Sequence, residues 1–374
     1  MTLPAPSGLL PYAITDLLRT HAFAAERQRD LHPAVLELLY REEWFRMLVP
    51  QRWGGRALSL PQLVRLEEAL GWADGSVGWT VTLCSGAGWF AGFFPPGSPP
   101  ESPPTSPPTS PTTSPTTSLS GLFADKHLCI AGSGSPTGEA HRVKEGYRVS
   151  GRWAYASGAL HATAYTANCV VWKDGAALRG EDGEPVIRPF LFLPVEVQVH
   201  RDWNAMGLIA TGSHGFSVTE VVVPAERAFV IDAAAATDAD PLYRYPFLPL
   251  AEATLAANVS GMGQHFLDCC AELFPRRGKP EADGLLARAQ VDVATKREAF
   301  YRAVDESWDA VAAGLTSPEL FDVVSRASHA LAAGVRQWVH RLYPFAGLGA
   351  ARVDTEINRV WRDLHTAGQH PLLV

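Results

Sequence analysis

Apolar residues recur at three- and four-residue spacing from Leu9 to about Phe94, through HPAVLELLYREEWFRMLV and SLPQLVRLEEALGWADGSVGWTVTLCSGAGWFAGFF. That period predicts amphipathic helices. Ser59 is placed to cap one of them with its hydroxyl, Pro61 fits its first turn, and Gly54 and Gly55 interrupt the pattern. From Leu122 to about Asp232 the period shortens to two, with β-branched residues between Gly, Asp and Asn turns in HRVKEGYRVSGRWAYASG, AYTANCVVWKDG and HGFSVTEVVVP. The helical period returns after Pro241, and long amphipathic helices on short loops predict a bundle. The expected class is an α+β multidomain protein: an N-terminal helical domain at 1–94, a central antiparallel β-domain at 122–235 and a C-terminal helical bundle at 236–374.

Between the first two lies a Pro/Ser/Thr-rich run at 95–121, containing SPPESPPTSPPTSPTTSPTTSLSG. Proline at that density removes amide donors, and almost nothing in the run is apolar. It reads as a solvated, polyproline-like loop without chemistry of its own.

Composition narrows the classes. A chain of 374 residues exceeds one ordinary core, so two or three domains are expected. With 32 basic against 39 acidic residues and no basic stretch, nucleic acid is not expected as a partner. The absence of an 18-residue apolar run argues against a membrane span, and the N-terminus lacks a signal-peptide pattern, so a cytoplasmic protein is expected. Cys84, Cys129, Cys169, Cys269 and Cys270 are odd in number and form no CxxC pair, which predicts buried thiols, no disulfide framework and no metal site.

Two stretches carry candidate chemistry. AGSGSPTG, Ala131 to Gly138, is a glycine-rich loop leaving a strand, where backbone amides and the hydroxyls of Ser133 and Ser135 can approach an anionic or carbonyl-rich edge. In RWAYASG, strand alternation puts Trp153, Tyr155 and Ser157 on one face, an aromatic wall beside a hydroxyl.

The order of helices, β-domain and bundle, together with five motifs, resembles the acyl-CoA dehydrogenase superfamily. The motifs are LVPQRWGG at Leu48 to Gly55, ADGSVGW at Ala73 to Trp79, GYRVSGRWAYASGALHATAY at Gly146 to Tyr165, DWNAMGLIATGSHGFSVTEVVVP at Asp202 to Pro224, and WRDLHTAGQH at Trp361 to His370. The resemblance implies a flavin, FAD or FMN, at the junction of the three domains, and a homotetramer or dimer whose neighbouring subunit contacts the nucleotide end. It implies that Ser133, Ser135 and Gly138 lie along the flavin pyrimidine, that Trp153 and Ser157 face its ring, and that Ser157 reaches N5 or O4. Arg276 or Arg277 in FPRRGKP and Gly347 in FAGLGA resemble the family's nucleotide contacts, while His214 reads as a surface turn residue.

The last motif decides between branches. Dehydrogenases of this superfamily follow Arg-Asp with a glutamate that removes the α-proton of a thioester; here no acid follows Asp363, and the equivalent place falls at His370. WRDL followed by QH is similar instead to the reduced-flavin-dependent monooxygenase branch, which hydroxylates aromatic or polycyclic substrates with a separate reductase supplying the flavin. Histidine suits orientation or deprotonation of a phenol because its ordinary pKa is near neutral. His365 and His370 are five residues apart, roughly 140° round a helix, so one of them faces the flavin, and His370 is the choice. Many relatives of that branch carry a further histidine where this chain has Ser85, Gly86 and Ala87. The rivals are a true acyl-CoA dehydrogenase with its base relocated, for instance to Glu252, and a catalytically silent scaffold member tethered by the proline-rich run.

Overall fold

The computed structural model describes residues 5–95 and 118–374. The reading of 95–121 as a solvated loop lies outside them except at its ends; Ser118 caps a short helix, so Leu119 to Gly121 are helical. Four helices open the chain: α1 (Tyr12–Gln28), α2 (Pro33–Arg41), α3 (Leu60–Ala73) and α4 (Gly75–Gly88). Ser59 caps α3 in a reciprocal capping box with Gln62, and Asp74 ends α3 and caps α4 through the Val77 amide. After α5 (Leu119–Ala124) come β1 (Ile130–Val143), β2 (Gly146–Ala156), β3 (Ala164–Lys173), β4 (Ala176–Ala177), β5 (Ile187–Phe192), β6 (Gln198–His200) and β7 (His214–Val223). The chain closes with α6 (Pro241–Arg244), α7 (Phe247–Leu273), α8 (Pro280–Ala312), α9 (Pro318–Leu342) and α10 (Glu356–Ala367). None of these helices is long and apolar enough to cross a membrane.

The sheet is mixed, not wholly antiparallel as the alternation suggested. Strand order is β4-β3-β1-β2-β7-β6 with β5 also on β3, and β1 runs parallel to β3. Alternation reports which face is buried and carries no information about strand direction. The sheet has its own core around Trp153, Phe190, Phe192 and Phe216.

The helices before and after the sheet share one continuous core. α7 runs through its middle and is apolar or small-residued on nearly every side, as a helix surrounded by others must be. α3 packs on it unusually closely: a Cβ at Gly71 would lie 2.6 Å from the Asn258 carbonyl, and one at Gly261 would lie 2.0 Å from that of Glu68. Glycine at both contacts lets the two backbones touch, which brings the polar groups of α3 against α7.

Candidate active site

Helix α4 is where the three parts of the chain meet. On its β-domain side the Cys84 thiol donates to the Ser157 carbonyl at 3.4 Å. On another side the Trp79 ring meets His370 edge-on, centroids 5.8 Å apart. On a third, Thr82 accepts from the Asn258 amide of α7 at 3.4 Å. Trp79, Leu83, Gly86 and Phe90 fall on one stripe of this helical segment at 3.6 residues per turn. Nothing lies within 4 Å of where a Gly86 Cβ would be, so the stripe borders open space. Phe90 stacks toward Phe247 at the start of α7, with centroids 5.8 Å apart, and a cavity of about 290 Å³ opens beside that end, lined by Trp89, Ile231, Tyr245 and Phe247 among others.

Ser157, just past β2, is buried and heads a chain of hydroxyls. Its Oγ lies 2.8 Å from that of Ser213, which lies 2.6 Å from that of Thr211, which donates to the Leu208 carbonyl at 2.8 Å. The carbonyl at the end can only accept, so each hydroxyl proton points down the chain: Thr211 to Leu208, Ser213 to Thr211, Ser157 to Ser213. Ser157 Oγ is left with acceptor capacity alone. Ser133 and Ser135 belong to β1 itself, not to a loop leaving it: β1 bulges out of register with β3 between Ser133 and Gly138, and Asn168 holds the bulge through the Gly134 carbonyl at 2.8 Å. Ser133 is half-buried and Ser135 exposed on that bulge.

Two expected ring contacts face elsewhere. Alternation put Trp153, Tyr155 and Ser157 on one face, but Tyr155 takes a positive φ of 65° and β2 slips register against β7 between Trp153 and Ala156. Tyr155 is consequently 74% exposed, edge-on to Trp203, while Trp153 is 1% exposed inside the sheet core with its Nε1 on the Asn168 carbonyl. Gly138 shares that interior, since a Cβ there would lie 2.2 Å from the Trp153 ring. His214 is buried, not a surface turn residue: its Nδ1 accepts from the Trp203 amide at 3.0 Å, and burial lowers its pKa.

The Arg-Asp pair of the last motif joins domains. Arg362 donates to Asn358 of its own helix, to Glu26 of α1 at 2.9 Å and to the Met206 carbonyl at 2.7 Å. Asp363 accepts from the Leu208 amide at 2.6 Å and, wholly buried, has its pKa pushed up to about 7. Arg359, one turn earlier, pairs with Asp74 at 2.5 Å. His365 is consumed by structure, its Nδ1 donating to the Trp361 carbonyl at 2.7 Å and its ring against that of Trp361. His370 follows α10, half-buried, and its Nδ1 accepts from the Leu372 amide at 3.3 Å. Burial lowers its pKa, so the ring is neutral, and an accepting Nδ1 puts the one ring proton on Nε2.

Arg276, Arg277 and Gly347 gather at one end of the bundle, on elements other than those carrying Ser157 and His370. Both arginines are exposed, and it is Arg277 whose guanidinium lies against Gly347, 2.1 Å from where a Cβ would be; Gly347 has φ 69°. Glu252 lies 3.3 Å from His329 Nε2 of α9, roughly 120° round α7 from Asn258 at about 100° per residue. The reading of no metal site meets one cluster among the described residues, with ligand atoms of His265, Cys269 and Glu356 within 4.8 Å of one another. There His265 Nε2 is 2.9 Å from Glu356, and Arg359 stands 3.9 Å from the same oxygen, the arrangement of an ion-paired brace. Residues that motif reading passed over are Thr211 and Ser213, which extend Ser157; Trp79, which meets His370; and Glu67, whose carboxyl is buried beside Thr82 and Ser85. Pairings between distant segments left no trace in local spacing.

Residues 245–374 match the acyl-CoA dehydrogenase C-terminal domain. The indole-3-acetate monooxygenase of Pseudomonas putida is 26% identical over 381 residues, spanning 98% of this chain and 90% of its own length. The oxygenase subunit HsaA of a flavin-dependent monooxygenase from Rhodococcus jostii is 24% identical, spanning 96% of this chain and 92% of its own. Among solved structures, XiaF from Streptomyces sp., in complex with FADH2 and glycerol, superposes with a TM-score of 0.82 at 21% identity, over 97% of this chain and 90% of that one. Residues 245–374 are thus shown to be an acyl-CoA dehydrogenase C-terminal domain, and along nearly its whole length the chain is similar to flavin-dependent monooxygenases.

Proposed function

We propose that the chain is the oxygenase component of a two-component flavin-dependent monooxygenase, using reduced FAD or FMN and O2 on an aromatic substrate, with a separate reductase supplying the flavin. The observation that carries this reading is the direction of the hydroxyl chain. Ser157 Oγ is an acceptor, and a flavin ring carries N–H at N5 only when reduced. The fit to a flavin rests on that acceptor, on the open bulge at Ser133 to Thr137, and on the exposed Tyr155 ring edge-on to the half-buried Trp203. When bound, the reduced flavin supplies the electrons with which O2 is split between the substrate ring and water.

The chain's own part is positioning and proton handling. His370 presents Nε2–H to a phenol or heteroatom, fixing its orientation, while the Trp79 edge beside it excludes water. A base role for His370 needs the other tautomer: once the long bond from the Leu372 amide is released, Nδ1 takes a proton from solvent as Nε2 loses its own, and Nε2 is then free to accept the proton of a phenol. Arg277 and Gly347 would take the nucleotide end of a flavin lent across a homodimer or tetramer contact. The relocated base of a dehydrogenase gains no support from Glu252, which faces α9 and His329. Anaerobic titration with FAD and FMN in both redox states tests the proposal. Tighter binding of the reduced form is expected, narrowed by Ser213→Ala, which frees the Ser157 proton. Tight oxidised FAD bleached by an acyl-CoA would overturn it.

A further inference from the structure

The corner between α1 and α2, residues 29–32, touches both strips of backbone that carry the hydroxyl chain. One strip is the turn after β2, where the Gly158 carbonyl accepts from the His161 amide at 2.9 Å and so closes the turn that begins at Ser157. The other is the segment 208–213 that holds Thr211 and Ser213; the Gly158 amide donates to its Thr211 carbonyl at 2.9 Å. Asp30 stands against both strips. Its Oδ1 lies 2.7 Å from His161 Nε2, and a Cβ on Gly212, between Thr211 and Ser213, would come within 3.9 Å of the same oxygen. That oxygen also takes the Leu31 amide at 2.8 Å, so it is the acceptor and His161 Nε2 carries the proton. Arg29 adds a hold on the stretch leading into the second strip, donating to the Trp203 carbonyl at 2.8 Å and to Asn204 Oδ1 at 3.0 Å. The corner itself is fixed: Arg29 ends α1 in the left-handed conformation, φ 59°, and the Asp30 amide reaches back to the Ala25 carbonyl at 3.2 Å.

Ser157 is an acceptor only while Ser213 takes its proton. The two hydroxyls belong to different strips, so the proton keeps its direction only if the strips keep their separation. A parting of about 1 Å carries their 2.8 Å contact past hydrogen-bond range and frees the Ser157 hydroxyl to donate elsewhere. The main-chain bond from Gly158 to Thr211 holds the strips at one point, which is a hinge; Asp30, gripping His161 and lying against Gly212, supplies a second. We propose that Asp30 and His161 are positioning residues for the flavin: by clamping the Ser157 turn to the Ser213 segment they keep Ser157 an acceptor, and so favour the reduced ring with its N–H at N5. Both act through Ser157. The proposal rests on the reading of Ser157 as the contact to that N–H.

The test is anaerobic titration of the full chain with FMN and FAD, each oxidised and reduced, read as the ratio of the two affinities. That ratio reports the direction of the Ser157 proton, whereas general loosening weakens both redox forms alike. His161→Leu and Asp30→Ala are each expected to lower the wild-type preference for reduced flavin about fivefold, the net scale of one hydrogen bond. The double variant should fall no further than either single one, because the same contact is lost in all three. His161→Gln, whose side-chain nitrogen can donate to Asp30, should keep the preference. Thermal melts establish that each variant is folded, and Asp30→Ala, at a half-buried position, carries the test if His161→Leu does not fold. A wild-type ratio in the folded variants, whether or not both affinities drop, overturns the proposal and leaves the reading of Ser157 standing. A wild type that binds the two redox forms equally overturns that reading and the proposal with it.

Discussion

At the scale of single residues, two side chains of the last motif differ in what they answer to. His370 is neutral because burial lowers its pKa, so the form that orients substrate is the form present at neutral pH. We expect kcat to be flat through pH 7 and to fall on the acid side as the ring protonates below its ordinary value of 6.5. His370→Ala should lower turnover about 10²-fold while leaving reduced-flavin affinity intact, read by stopped-flow hydroxylation and by titration. Asp363 is a structural acid. Its folded pKa, about 7, lies above the ordinary 3.8, so the folded state holds its proton more tightly than the unfolded chain does. Its contribution to stability is complete below pH 3.8 and is lost as pH rises toward 7. Asp363→Asn keeps the acceptor for the Leu208 amide and removes the titration; its melting temperature, relative to wild type, should rise between pH 4 and pH 8.

At the scale of elements, the helices follow their sequence signals and the strands depart from theirs at the site. The capping box of Ser59 and the Asp74 cap are local hydrogen bonds between residues three apart, so spacing reveals them. The turn that places Ser157 is different. Tyr155 at φ 65° breaks the alternation, sending Trp153 into the sheet core and Tyr155 to the surface. A period-two reading has no means of locating one left-handed residue. Gly158, at φ 75° with Cys84 sulfur 2.7 Å from a built Cβ, completes the turn. Gly158→Ala should cost about 1–2 kcal/mol from backbone strain alone and weaken flavin binding by displacing Ser157, measured by chemical denaturation and titration.

At the scale of the whole molecule, α10 clamps the N-terminal helices and the β-domain loop to the bundle. Arg359 reaches Asp74 at the head of α4, and Arg362 reaches Glu26 and Met206. Arg359→Met would leave the buried Asp74 carboxylate without its ion pair, at an expected cost of about 3–5 kcal/mol in urea denaturation. Activity should fall with it, since the same contacts hold α4 between Ser157 and His370. The order of helices, strands and bundle was legible in the sequence, because periodicity records which side of each element is buried. So were the family's motifs; the angle of roughly 140° expected between His365 and His370 was not, because α10 ends at Ala367 and His370 lies beyond it. Only the folded chain decided that β1 runs parallel to β3, that Ser157 is an acceptor, and that Glu67 lies unpaired at a three-helix junction. Those are relations between residues far apart in the chain: the direction of a hydroxyl proton depends on the carbonyl that ends its chain, and the state of a carboxyl on the helices that close over it.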